Sequence, residues 1–446
     1  MRFDSKCVDR DHNVSRNVAE SKESILMPEP EKFDLATFDP FSSEVGRCPF
    51  DAFETLRSSE PVFKVPVAPL YLISSYEHAQ QIALDTTNFS LEFHGSVAAA
   101  EVIGWHSEDA EVKEIFANAQ PFVESLHNVD PPDHTRQRRS VTSRFSPGRI
   151  NRDWTALVEQ HVDILLDQIP VDTDFEFMSE VAIPLPIRVI AAILGIPLDR
   201  EADYKRWSDA YVAMVGRKLS TEEWLDKARN QVDMQSFFSR ELDDRRLAPT
   251  DDLLTDLLGA TREEPPSLSD LELLDVPQHF LVAGNETTTQ LLGEMMRYFA
   301  AQPHLFEQIR RQPELIPNVV EETLRLASPV LGNYRVCVAD TEVGGVVIPA
   351  GALVSLLWGG ANHDPQVFEN PEMFVPDRAN ANRHLAFGKG MHFCLGAPLA
   401  KLEAKVALTK IVERYSSVSI IEDSIVEDTR SFMLRGLRSL HVRFTE

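Results

Sequence analysis

Phe387-Gly388-Lys389-Gly390-Met391-His392-Phe393-Cys394-Leu395-Gly396 wraps one cysteine in glycines and aromatic rings. A thiolate that binds iron is held close to it by backbone rather than by bulky side chains, and Gly388, Gly390 and Gly396 let the loop approach and turn. The residues that follow, Ala397 to Val412, carry a helical pattern. The amides that open such a helix place partial positive charge beside an anionic sulfur. Cys394 therefore reads as a metal-binding thiolate. The plainer alternative, a buried free cysteine at a strand-to-helix turn, requires none of the surrounding pattern.

A second segment breaks an otherwise simple pattern. Ser267 to Arg297 is apolar on more than one side, the mark of a long buried helix, and Pro277 should bend it locally. Within it lies Ala283-Gly284-Asn285-Glu286-Thr287-Thr288. Buried polar groups are costly, and a mid-helix glycine costs about 1 kcal/mol against alanine. Something must pass close to this helix, or the helix must open. Further on, Glu322-Thr323-Leu324-Arg325 sets an acid and an arginine three apart on one helix face. That spacing alone is commonplace.

Together, in this order, these segments resemble the cytochrome P-450 superfamily. Phe387, Gly390, Cys394 and Gly396 match its F-x-x-G-x-x-x-C-x-G loop, and family-like segments run from about Phe38 to the C-terminus. His392, with Ala397-Pro398-Leu399-Ala400-Lys401-Leu402-Glu403, is similar to the soluble bacterial type. The resemblance implies a mainly α fold with small β-sheet regions. It also implies haem b (iron protoporphyrin IX), with Cys394 as the metal ligand, Phe387 beside it, and Ala283 and Gly284 on the opposite face where dioxygen binds. Glu286 and Thr287 would be the catalytic acid and alcohol that relay protons. His134, Arg138, Arg335 and His392 would hold the haem propionates; His134 and Arg138 are one helical turn apart, and arginine suits carboxylates. Glu322, Arg325 and Arg378 would form a buried structural network.

The activity so implied is a haem-thiolate monooxygenase that hydroxylates a mid-sized hydrophobic molecule. Two electrons would come from NAD(P)H through a separate ferredoxin and ferredoxin reductase, because the chain has no convincing dinucleotide or iron-sulfur motif. A peroxide-dependent or phenol-coupling enzyme is the alternative within the same chemistry, and a non-catalytic haem carrier or sensor is the alternative outside it. Neither needs the Glu286 and Thr287 pair. The pocket walls expected from the resemblance include His279, Val282, Leu331 and Met433. His279, four residues before Ala283, is expected on the same helix face, where it would hydrogen-bond a polar group of the substrate or a pocket water; the competing reading is that the bend at Pro277 turns it into a structural contact.

Composition sets the frame. At 446 residues the chain is read as a tail, 1–28, and one domain, 29–446. A formal net charge of -26 makes nucleic acid a poor partner. No run of about 18 apolar residues is present, so no membrane span is expected, and the charged N-terminus does not look like a signal peptide. Four scattered cysteines, Cys7, Cys48, Cys337 and Cys394, make no disulfide framework and agree with a cytoplasmic protein, expected to be a monomer. Local positive charge is the exception: for Arg136, Arg138, Arg139 and Arg144, and for Lys389, Lys401 and Lys405 around the cysteine loop, the resemblance implies a face that meets an electron donor, the alternative being a solvated helix face.

Along the chain, Ser42 to Arg57 reads as a helix and Pro61 to Ser74 as short edge strands. Phe89 to Val123 has no clean period and reads as an irregular pocket lid. Asp130-Pro131-Pro132-Asp133 starts the arginine-rich helix. Helical patterns dominate from Trp154 to Leu258, with breaks near Pro184 and from Asp243 to Asp252. Val330 to Leu357 switches to strands.

Overall fold

The computed structural model describes residues 33–446 apart from 94–95, 104–106, 122, 263–266, 422–424 and 429–430. The expected tail, 1–28, lies outside the described residues.

A helix of 32 residues, Asp270–Ala301, organises the fold. It starts where a capping box satisfies its first amides: Glu272 N–H donates to Ser269 Oγ (3.3 Å), and Ser269 N–H donates to the Glu272 carboxylate (2.6 Å). Apolar residues on most sides bury it, and Pro277 lies inside it. Helices Pro184–Leu194, Glu201–Val212, Thr221–Leu247, Ile316–Ala327 and Ala397–Arg414 pack around it. The largest hydrophobic cluster joins these helices to Pro147–Leu166.

A five-stranded sheet flanks the helices, in the order Val62–Lys64, Leu70–Ile73, Leu353–Leu356, Asn333–Cys337, Phe89–Ser90. Only the second and third strands run parallel. Leu70 and Leu72 enter one apolar cluster while Tyr71 and Ile73 enter another. Both sheet faces are therefore covered.

Several expectations change. Leu70–Ile73 is an inner strand, not an edge, because all four of its residues are buried between two clusters. The stretch read as irregular holds helices Val97–Ile103 and Ala110–Ala117. Ser42 to Arg57 is two helices, divided at Cys48 where Pro49 begins the second. Pro184 likewise starts a helix instead of breaking one. Cys337 and Cys394 are free thiols.

Candidate active site

The cysteine loop leaves the 3-10 turn Ala381–Arg383 and runs into helix Ala397–Arg414. Gly388 and Gly390 take φ of 70° and 79°, a region that side chains resist, and a Cβ on Gly390 would stand 2.9 Å from the Ala83 carbonyl oxygen. Cys394 N–H donates to Phe387 O (2.9 Å), folding the loop back on itself. Burial pushes the Cys394 thiol up; hydrogen bonds from the Gly396 and Ala397 amides, with Arg138 and Lys401 farther off, pull it down.

His134 and Arg138 come from helix Asp133–Thr142. The His134 and His392 rings lie 4.1 Å apart, and the Nε2 atoms of both are buried with no hydrogen-bond partner among the described residues. Arg335 is buried and donates to the carbonyl of Tyr334 (2.7 Å); burial pushes it down to about 10. The Tyr334 hydroxyl is buried and unpartnered as well. Arg138 is more committed than expected, since it donates to Met391 O (2.9 Å) and Phe393 O (2.8 Å) and so clamps the loop. Buried donors without an anion, beside a cysteine sulfur held by two amides, suit an iron porphyrin with two carboxylates. The residues present fit haem.

On the central helix Ala283 is exposed although its neighbours are mostly buried, and Thr287 Oγ1 donates to Ala283 O (3.0 Å). Gly284 answers the first of the two readings of a mid-helix glycine, a close approach by a neighbour. A Cβ there would lie 3.0 to 3.3 Å from Ile190, so the glycine permits close approach of helix Pro184–Leu194 and its Cα faces that helix. Glu286 pairs with Lys205 (3.1 Å), which also pairs with Asp209. Burial, with Asp209 adding repulsion, raises the Glu286 carboxyl, while Lys205 offsets part of that rise. For Lys205 burial acts downward, but its two carboxylates outweigh it and hold it protonated. Lys205 was not singled out from sequence; its only signal was a lysine four residues from Asp209.

Glu322, Arg325 and Arg378 meet. Glu322 accepts from Arg325 Nε (2.8 Å) and Nη2 (2.9 Å), and from Arg378 Nε (2.9 Å). The arginines spend their remaining donors on carbonyls of Asn362, Pro371 and Met373, and of Glu369 and Asn370. A neighbouring link was not foreseen: Glu321 accepts from His384 Nε2 (3.0 Å) and pairs with Lys401 (2.7 Å), and His384 Nδ1 accepts from Ala386 N–H (3.1 Å). One carboxylate thus ties both flanks of the cysteine loop.

The expected pocket walls divide. Val282, Leu331 and Met433 are closed within the core: Leu331 N–H donates to Met433 O (2.8 Å), and Leu331 sits over Gly359. They do not face open space, because the turn and the C-terminal segment pack on each other. His279 stacks on His127, ring centroids 3.9 Å apart, and meets Tyr211 edge-on at 6.4 Å.

Comparison with known proteins agrees with this geometry. Residues 94–437 match the family model described as Cytochrome P450. The chain is 35% identical over 377 residues to cytochrome P450 107B1 of Saccharopolyspora erythraea, covering 84% of this chain and 89% of that one. It is also 35% identical over 323 residues to 6-deoxyerythronolide B hydroxylase of the same organism, covering 72% and 78%. Among solved structures, cytochrome P450 CREJ in complex with (4-ethylphenyl) dihydrogen phosphate superposes with a TM-score of 0.83 at 31% identity, covering 92% of this chain and 100% of that one. The loop around Cys394, the helix over it and these matches have one common account: the chain belongs to the cytochrome P450 family and is a haem-thiolate monooxygenase.

Proposed function

We propose that the chain, as a single domain over 29–446, hydroxylates a mid-sized hydrophobic small molecule. Electrons come from NAD(P)H through a separate ferredoxin and ferredoxin reductase, and the protein works as a cytoplasmic monomer. No helix of the described residues is long and apolar enough to cross a membrane. The observation that carries the reading is the cysteine loop itself, with Cys394 between positive-φ glycines and helix-opening amides and buried unpartnered donors alongside.

Bound there, haem supplies the iron at which dioxygen is activated for insertion into a C–H bond. Cys394 Sγ is the ligand, and the amides of Gly396 and Ala397 stabilise its negative charge. His134, His392 and Arg335 hold the propionates, while Arg138 fixes the loop. Ala283 gives room on the opposite side. Glu286, its carboxyl raised by burial and opposed by Lys205, is the acid of the relay, and the Thr287 hydroxyl, now on the Ala283 carbonyl, is the alcohol it serves through water. That pair in place disfavours the peroxide-dependent alternative. The relatives' names span a hydroxylase of 6-deoxyerythronolide B and a protein complexed with an aryl phosphate, so substrate choice rests on this chain's own pocket.

Cys394→Ser tests the reading. The variant is expected to lose the red-shifted Soret band of the reduced carbon monoxide complex and all NAD(P)H-driven turnover with ferredoxin and reductase. The same band persisting in that variant would overturn the assignment.

A further inference from the structure

Glu321 and Glu322 are neighbours on helix Ile316–Ala327, and successive helical residues face different ways. Glu322 enters the buried arginine network. Glu321 turns to the cysteine loop, where one of its oxygens accepts from His384 Nε2 (3.0 Å) and the other pairs with Lys401 (2.7 Å). Nothing in the arginine network calls for this second carboxylate.

Both partners of Glu321 converge on Phe387. His384 Nδ1 accepts from Ala386 N–H (3.1 Å), which fixes the backbone just before Phe387. The His384 ring lies 5.7 Å from the Phe387 ring, and Lys401 Nζ stands 5.3 Å from the centroid of that ring, within cation–π range. Phe387 in turn holds the cysteine, since its carbonyl accepts the Cys394 N–H (2.9 Å). One carboxylate thereby orders the imidazole and the ammonium that frame Phe387, and Phe387 fixes the backbone of the residue that carries the sulfur.

The same groups carry a defined charge. Because Nδ1 accepts, the His384 proton is on Nε2 and the imidazole is neutral. Burial acts upward on the Glu321 carboxyl, but His384 and Lys401 outweigh it and hold the group ionised. Lys401 follows Ala397 by one helical turn on Ala397–Arg414, and the Ala397 amide is one of the two that bond the sulfur. From there the Lys401 ammonium acts electrostatically on Cys394, and Glu321, 2.7 Å from that ammonium, offsets part of its field. We infer that Glu321 and Lys401 are a positioning and charge-tuning pair for Cys394: Glu321 frames Phe387, and the opposed charges set how readily the iron held by the sulfur is reduced. The inference rests on the haem-thiolate reading above. An electron added at the iron makes the site more negative, so a nearby cation favours the reduced state and a nearby anion opposes it. Lys401 is 34% exposed, so solvent screens its effect without removing it.

The one-electron reduction potential of the haem-loaded protein, followed by spectroscopic redox titration, provides the test. Lys401→Met is expected to lower it by about a threefold to tenfold change in the reduction equilibrium, tenfold being about 59 mV for one electron. Glu321→Gln is expected to raise it by a similar or smaller factor, and Lys401→Arg, which keeps the charge, to stay within about twofold of the wild type. Opposite signs in the two neutralised variants separate charge tuning from mere support of the loop, which would move both in one direction. His384→Leu, which cuts the Ala386 contact and leaves the charge pair, is expected to cost the reduced carbon monoxide complex a share of its red-shifted band. Potentials that shift in the same direction in Lys401→Met and Glu321→Gln, or that stay at the wild-type value in both, would overturn the tuning; a full red-shifted band in both His384→Leu and Glu321→Gln would overturn the positioning. Should Glu321→Gln take up no haem, the sign in Lys401→Met decides alone, and an unchanged or raised potential there would overturn the pair. A wild type without the red-shifted band would defeat the haem-thiolate reading first, and the inference with it.

Discussion

Arg325 shows how much of the region around the cysteine loop hangs on one side chain. It is 0% exposed, its charge is met by Glu322, and three carbonyls from the 362–373 stretch converge on it. Removing one partner of such a pair leaves the other buried and uncompensated. Arg325→Leu is therefore expected to destabilise the protein by about 3–5 kcal/mol, read as a lowered midpoint in urea unfolding, with Arg325→Lys recovering only part because a lysine has no planar fork. A loss below about 1 kcal/mol would show that the network carries little. Cys394 was legible in its glycine-rich loop, whereas Glu322 and Arg325 were legible through the family resemblance, their spacing alone being commonplace. It hid His384, Glu321 and Lys401, whose link joins positions up to 80 apart in number and has no periodic signature.

Packing of the central helix depends on Gly284 because a neighbouring helix comes close to it. Alanine there would gain about 1 kcal/mol of helix propensity, yet its Cβ would crowd Ile190. Gly284→Ala and Ile190→Val should therefore couple in a double-mutant cycle by roughly 0.5–2 kcal/mol, because the smaller side chain makes room for the methyl. Additive changes in thermal stability would mean that the glycine answers some other need. The long helix itself was readable from its apolar surface, although its capped start at Ser269 was not. Helices Val97–Ile103 and Ala110–Ala117 were not. The first buries two alanines among its four buried residues, and the second buries only Val112, so neither shows a strong stripe. Short helices of this kind are held mainly by tertiary packing, which a local pattern does not display.

Charge over the molecule sharpens where an electron donor can dock. Arg136 and Arg144, expected to face a partner, are turned inward: Arg136 pairs with Glu272 and Asp133, and Arg144 with Asp251 and Asp256. Arg144 is itself buried, and Arg136 is held against the buried Glu272, which makes both structural. What stays outward is a groove of about 350 Å³ lined by Pro147, Asn151, Phe393, Pro398, Lys401 and Lys405. Phe393 is 42% exposed there, and Lys389 and Lys405 are exposed around the same loop. An apolar centre with a cationic rim suits a small acidic protein. The overall charge of -26 opposes that approach everywhere else on the surface, so the rim has to supply the steering. Rim charges act on the association rate and are screened by salt over about 8–10 Å at ordinary ionic strength. Reduction by ferredoxin is therefore expected to slow as salt rises. Lys405→Glu and Lys389→Glu should each lower the low-salt rate several-fold while leaving the unfolding midpoint in place, and Arg136→Glu should instead lower the midpoint. Stopped-flow reduction across a salt series checks this; a rate indifferent both to salt and to the two lysine reversals would place the docking surface elsewhere.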